Sequence, residues 1–168
     1  LKMINRAMVK DFAVDKPRIA VLALNVSTGD GIFGDEEERV IKPAIMEARE
    51  EGIFAVGPYA ADRFFAEKLY EKSDIVLALH NDQGMIPFKE VEGNGGVLSV
   101  AGLPCVFTTP VHGMAYDIID KQCADESGMR NSLYLGIDIY RNRVEYAELT
   151  ANPLKKYDVG GDRKESDM

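Results

Sequence analysis

The chain has 168 residues, 46% of them hydrophobic, and a formal net charge of −8, enough for one domain with a substantial core. That acidic balance argues against a nucleic-acid partner, which needs a basic face, and against contact with anionic membranes. No apolar run approaches the roughly 20 residues that span a bilayer, and no basic segment followed by an apolar stretch marks a secretory signal, so the expected location is the cytoplasm.

In chain order, Leu1, Ile4, Met8, Val9 and Phe12 recur at a helical period over residues 1–12. Leu1 opens inside this pattern, as expected for a piece of a longer chain. Asp15-Lys16-Pro17 breaks the helix, and Arg18 to Leu24 is a near-continuous apolar run that predicts a strand buried on both faces. A polar, glycine-bearing loop covers Asn25 to Gly34. Asp35 with Glu38 has capping-box spacing for a helix to Glu51, with Val40, Ile41, Ala44, Ile45 and Ala48 on one face and Gly52 as its stop. Pro43 predicts a kink or two shorter pieces. Ile53 to Val56 reads as a short strand ended by Gly57-Pro58. Residues 61–72 read as a helix with Phe64, Phe65 and Leu69 inward, and Asp74 to His80 as a second buried strand.

Beyond the loop Asn81-Asp82-Gln83-Gly84, a short helix or turn reaches Lys89, followed by Gly93 to Gly96. Val97 to Val100 and Cys105 to Thr108 are further strand candidates, and Met114 to Cys123 reads as a helix. The period of Met129, Leu133, Ile137, Tyr140 and Val144 predicts a helix over 127–143. Cys105 and Cys123 lack zinc-ligand spacing and read as buried, reduced thiols. The expected organisation is a single α/β domain over 1–156, with a mainly parallel sheet and helices on both faces, and a disordered tail over 157–168. In such a sheet ligands gather at the carboxyl ends of the strands. The loops there carry Asp30, Asp62 and Asp82.

The run Pro17-Arg18-Ile19-Ala20-Val21-Leu22-Ala23-Leu24-Asn25, then Gly29-Asp30 and Phe33-Gly34-Asp35-Glu36-Glu37, resembles the 4-hydroxythreonine-4-phosphate dehydrogenases of vitamin B6 synthesis. So do Gly57-Pro58 with Ala61-Asp62, Asp82-Gln83-Gly84 with Pro87 and Lys89, Gly102-Leu103-Pro104, and His112-Gly113 with Ala115 and Asp117. The resemblance covers the C-terminal half of a family member. It implies a fold related to isocitrate and isopropylmalate dehydrogenases, with an active site in a cleft of a dimer-forming subunit. It also implies NAD-dependent oxidation of a phosphorylated hydroxy-amino acid and loss of CO2, with a divalent metal as Lewis acid. By this resemblance Asp62, Asp82 and Lys89 face metal and substrate, Lys89 suits an anionic group, and the turn His112-Gly113 with Asp117 lies near the cofactor.

Two of the family's three metal-ligating histidine positions fall in this chain, and they hold Ser27 and Asn81. His80 stands one place early. A substrate-contacting Asn of the family is Leu98 here, an Arg is Phe107, and the Asp before the histidine-glycine turn is Val111. Imidazole is a far better ligand for zinc than a hydroxyl or an amide. The expectation is therefore a degenerate relative with weak or no activity. Two alternatives stay open: an oxidoreductase using magnesium or manganese held by Asp30, Asp62 and Asp82, or a non-catalytic small-molecule-binding or structural domain. The apolar faces at 1–12 and 127–143, without an N-terminal half to cover them, predict a homodimer.

Overall fold

A computed structural model describes residues 1–26, 33–114, 116–121 and 123–154. Helix α1 (Lys2–Asp11) leads to strand β1 (Ile19–Leu22), all four of whose residues are buried. A π-helical turn (Glu37–Ile41) runs into α2 (Lys42–Glu50), so the segment around Pro43 is in two pieces as its sequence predicts. Asp35 does not cap it. Its carboxylate instead pairs with Arg39 one turn on. Strand β2 (Ala55–Tyr59) follows, then α3 (Ala61–Ala66) and a 3-10 turn (Leu69–Lys72). The predicted single helix over 61–72 is interrupted because Lys68 takes a left-handed backbone, φ +52°.

Strand β3 (Ile75–Leu77) is shorter than predicted and leads into α4 (Asn81–Glu92). This twelve-residue helix passes through Pro87, where a short helix or turn was expected. Strands β4 (Val97–Ser99) and β5 (Thr108–Pro110) form an antiparallel pair. Among the described residues of the expected 114–123 helix there is only a 3-10 turn (Tyr116–Ile118), with Asp120 left-handed at φ +66° just beyond it. Helix α5 (Ser127–Thr150) closes the described chain. The expected tail over 157–168 lies outside the described residues.

β1 lies between β2 and β3, parallel to both. Its side chains alternate faces. Ile19 and Val21 pack with Ile41, Ile45 and Ala48 of the π-turn and α2, and with Leu1 and with Ile4 of α1. Ala20 and Leu22 pack on Phe64, with Phe65, Leu69 and Tyr70 around them. Helices therefore cover both faces of a parallel sheet, the α/β architecture expected. β3 was expected in the middle of the sheet. Among the described strands it is an edge and only half-buried.

Register between β1 and β3 is set at their start. Asp74 accepts from the Arg18 backbone N–H (2.8 Å) and from its Nε and Nη2 (3.0 Å each). These bonds, the guanidinium side chain first, hold the Asp74 carboxyl at about 2 against an ordinary 3.8. A carboxyl depressed in the fold adds stability above its unfolded value, and that stability disappears as pH falls through the folded value. In urea unfolding, Asp74→Asn is expected to be less stable than the natural chain near pH 6, with the gap closing as pH falls from about 4 to 2. A gap independent of pH would refute the assignment.

On α5, the apolar stripe points outward, as expected of a face that this chain does not cover. Met129, Leu133, Ile137, Tyr140 and Val144 are exposed, Leu133 by 61%. The inward stripe, one residue and so about 100° away, holds Gly128, Ser132, Gly136, Ile139 and Arg143. The small residues admit the β4–β5 pair. Thr108 Oγ1 donates to the Ser132 carbonyl (3.0 Å), and a Cβ on Gly136 would lie 3.1 Å from that hydroxyl oxygen. Cys105 and Cys123 are free and exposed, not buried as expected.

Candidate functional site

The carboxyl ends of β1, β2 and β3 are stitched together by backbone and side-chain bonds. Ala23 N–H donates to the Tyr59 carbonyl (2.7 Å). β2 approaches β1 so closely at Gly57, φ +148°, that a Cβ there would sit 2.3 Å from the Val21 carbonyl oxygen. The Gly57-Pro58 pair therefore lies inside β2 rather than ending it. Gln83 joins the third strand. Its Oε1 accepts from the backbone N–H groups of Leu79 (3.1 Å) and His80 (3.3 Å), and its Nε2 donates to the Ala23 carbonyl (2.8 Å).

The stretch 81–84 is thus the first turn of α4, not a loop. Gly84 lets that turn pass the end of β3, since a Cβ would meet Ala78 Cβ at 3.2 Å. Asn81 is the first helical residue and exposed, and His80 is the exposed, extended residue before it. Asp82 and Lys89 are seven residues apart, hence on one face of α4 and about 10 Å apart along its axis. Both are exposed.

Asp62 stands in the first turn of α3, exposed, with its Oδ1 accepting from the Arg63 N–H (2.7 Å). Asp62 and Asp82 therefore follow the two strands that flank β1. Asp30 and Ser27 lie outside the described residues. Among the described residues no group of three His, Cys, Asp or Glu side chains is placed to hold a metal ion.

One functional-looking group escaped the sequence reading. Glu37 is only 2% exposed. Its carboxylate accepts from the Asn25 backbone N–H (2.7 Å) and from Asn25 Nδ2 (2.9 Å), fixing the chain three residues beyond the end of β1. Burial pushes this carboxyl up, but the bonds from Asn25 outweigh it and hold it below the ordinary carboxylate range. The signal available was Asn25 at a strand end with paired acids twelve residues on.

The remaining predicted residues sit on the β4–β5 side. His112 is exposed, with Nδ1 2.9 Å from the Gly113 carbonyl oxygen. The side chain of Asp117 lies outside the described ones. Helix α4 reaches this side through Phe88, against which a Cβ on Gly96 would collide at 2.8 Å. Leu98 and Val100 share a face of the hairpin. Phe107 stands opposite Val100, its carbonyl accepting the Val100 N–H at 3.1 Å. All three are exposed, so this face is apolar where the family resemblance would place an Asn and an Arg. The cavity bordering α4, about 260 Å³, is apolar as well. It is lined by Phe65, Tyr70, Val76, Ala78, Pro87 and Phe88 among others, and takes only Gly84 from the 81–84 turn.

Comparison with known proteins gives a consistent picture. The family model described as pyridoxal phosphate biosynthetic protein PdxA matches residues 1–136. A 4-hydroxythreonine-4-phosphate dehydrogenase of Bacteroides thetaiotaomicron is 45% identical over 157 residues, covering 93% of this chain and 43% of that protein. One of Beijerinckia indica is 47% identical over 118 residues, covering 70% and 35%. Among solved structures, the 4-hydroxythreonine-4-phosphate dehydrogenase of Klebsiella pneumoniae aligns at a TM-score of 0.67 with 34% identity, over 82% of this chain and 42% of that one. The enzyme of Burkholderia phymatum aligns at 0.65 with 35% identity and the same coverage. The chain thus spans less than half the length of the relatives it matches.

Proposed function

Because this chain belongs to the PdxA family, whose model matches residues 1–136, we propose that it keeps the family's scaffold and strand-end cleft without the family's metal-dependent oxidation. The observation that carries this reading is Asn81. An exposed carboxamide opens α4 at the position where the resemblance calls for an imidazole, and an amide is a poor zinc ligand. The residues present do not fit a zinc ion, and no catalytic step is assigned through one.

In this reading residues 1–156 are one domain. Lys89 offers its ammonium to a small anionic or phosphorylated molecule, with Asp62 and Asp82 as the polar groups of the cleft. The His112-Gly113 turn with Asp117 is the place for NAD. The reading favouring magnesium or manganese rests on Asp62 and Asp82 bracketing β1, with Asp30 as the third ligand. Incubating the purified chain with NAD, 4-phosphohydroxythreonine and each of zinc, manganese and magnesium separates the two. No NADH above the enzyme-free rate is expected. Sustained NADH formation with magnesium, abolished by Asp82→Ala, would establish the second reading instead.

The outward apolar stripe of α5 supports a homodimer built on that face, since contiguous exposed apolar surface marks association sites. Light scattering is expected to give twice the chain mass, and Leu133→Asp to halve it. A monomer for the natural chain would contradict this.

A further inference from the structure

One cavity lies away from the strand ends. It is a groove of about 520 Å³ between α1 and the Gly102-Leu103-Pro104 turn, a volume suited to small-molecule sites. Its lining holds Lys2, Arg6, Lys10 and Arg143 against a single carboxylate, Asp11, in a chain whose net charge is −8. Lys2, Arg6 and Lys10 are four residues apart, so they form one stripe about 12 Å long on α1.

The negative groups of the groove are already occupied. Both Asp11 oxygens accept from Arg143 (2.8 Å each), and Arg143 Nη1 takes the carbonyls of Leu103 (3.2 Å) and Cys105 (3.1 Å). Lys2 is held at the rim by Glu51 (2.6 Å). Among the described residues no ion pair engages Arg6 or Lys10. The rest of the lining, Met3, Ala7, Leu103 and Pro104, is apolar. Met3 Sδ lies against the turn, 3.4 Å from where a Cβ on Gly102 would be.

We propose that this groove binds a small phosphorylated molecule with an apolar body. Arg6 grips the phosphoryl oxygens through its guanidinium fork, with Lys10 beside it and Met3, Leu103 and Pro104 under the body. A phosphoryl group, carrying nearly two charges, matches adjacent cations better than one carboxylate does. The site is separate from the strand-end cleft and independent of the function proposed for it.

Phenyl phosphate and inorganic phosphate, titrated calorimetrically at constant ionic strength, test this. Phenyl phosphate is expected to bind saturably and more tightly than phosphate. Arg6→Glu and Lys10→Glu are each expected to weaken it about tenfold or more, while Lys121→Glu, the same charge change at an exposed lysine elsewhere, changes it less than about twofold. Equal losses in all three variants would reduce the effect to net charge and overturn the proposal. So would absent binding of phenyl phosphate, or no preference for it over phosphate.

Discussion

Arg143→Ala is expected to destabilise the fold by about 3–5 kcal/mol, because it leaves a buried carboxylate without its counter-charge. The side chains of Asp11 and Arg143 are 7% and 13% exposed, and they meet through two parallel bonds of 2.8 Å. The same guanidinium holds the Leu103 and Cys105 carbonyls, and Asn142 Nδ2 donates to the Asp11 carbonyl (2.8 Å). One residue of α5 therefore fastens α1 and the turn before β5. Urea unfolding measures the loss, and hydrogen exchange should show α1 losing protection first. Arg143→Lys keeps the charge but not the fork and should recover only part of the stability. The double replacement Asp11→Ala with Arg143→Ala should cost less than the sum of the single ones. A loss below about 1 kcal/mol for Arg143→Ala would place the pair among weak surface bridges.

Phe64→Ala is expected to cost a similar amount, about 3–5 kcal/mol, through transfer and cavity terms. Phe64 is 1% exposed and, packed on Ala20 and the equally buried Leu22, is the largest fully buried side chain on that face of β1 among the described residues. Its ring centroid is 5.2 Å from those of Tyr59 and Phe65, edge-on to the latter. Helix α3 has six residues and cannot stand alone. Losing Phe64 should thus loosen the whole layer that carries Asp62. Phe65→Ala, at a partly buried position, should cost clearly less in the same thermal unfolding series. Equal costs would mean that the layer is not organised around Phe64.

These two residues show what was legible. Ile19 to Leu22 announced a strand buried on both faces because its neighbours on either side are helices of this chain. The inward set of Ile41, Ile45 and Ala48 followed from helical period for the same reason. The apolar stripe of α5 was legible as a face this chain leaves uncovered, but the opposite, packed face was not. The face that does pack is made of Gly128, Ser132 and Gly136, whose value is closeness rather than apolar area. Asp11 and Glu37 were invisible as buried acids, since each depends on a partner 132 or 12 residues away. Asp74 to His80 looked like a central strand, yet β3 ends at Leu77 and the predicted loop became the first turn of α4. That change left Asp82 and Lys89 on one helix face.

The central claim is that this strand-end cleft has lost its metal, and zinc titration of the natural chain tests it most directly. The account predicts no saturable zinc binding tighter than about 1 mM, with or without NAD, and no change on Asn81→Ala. Micromolar binding that Asn81→Ala abolishes would contradict it.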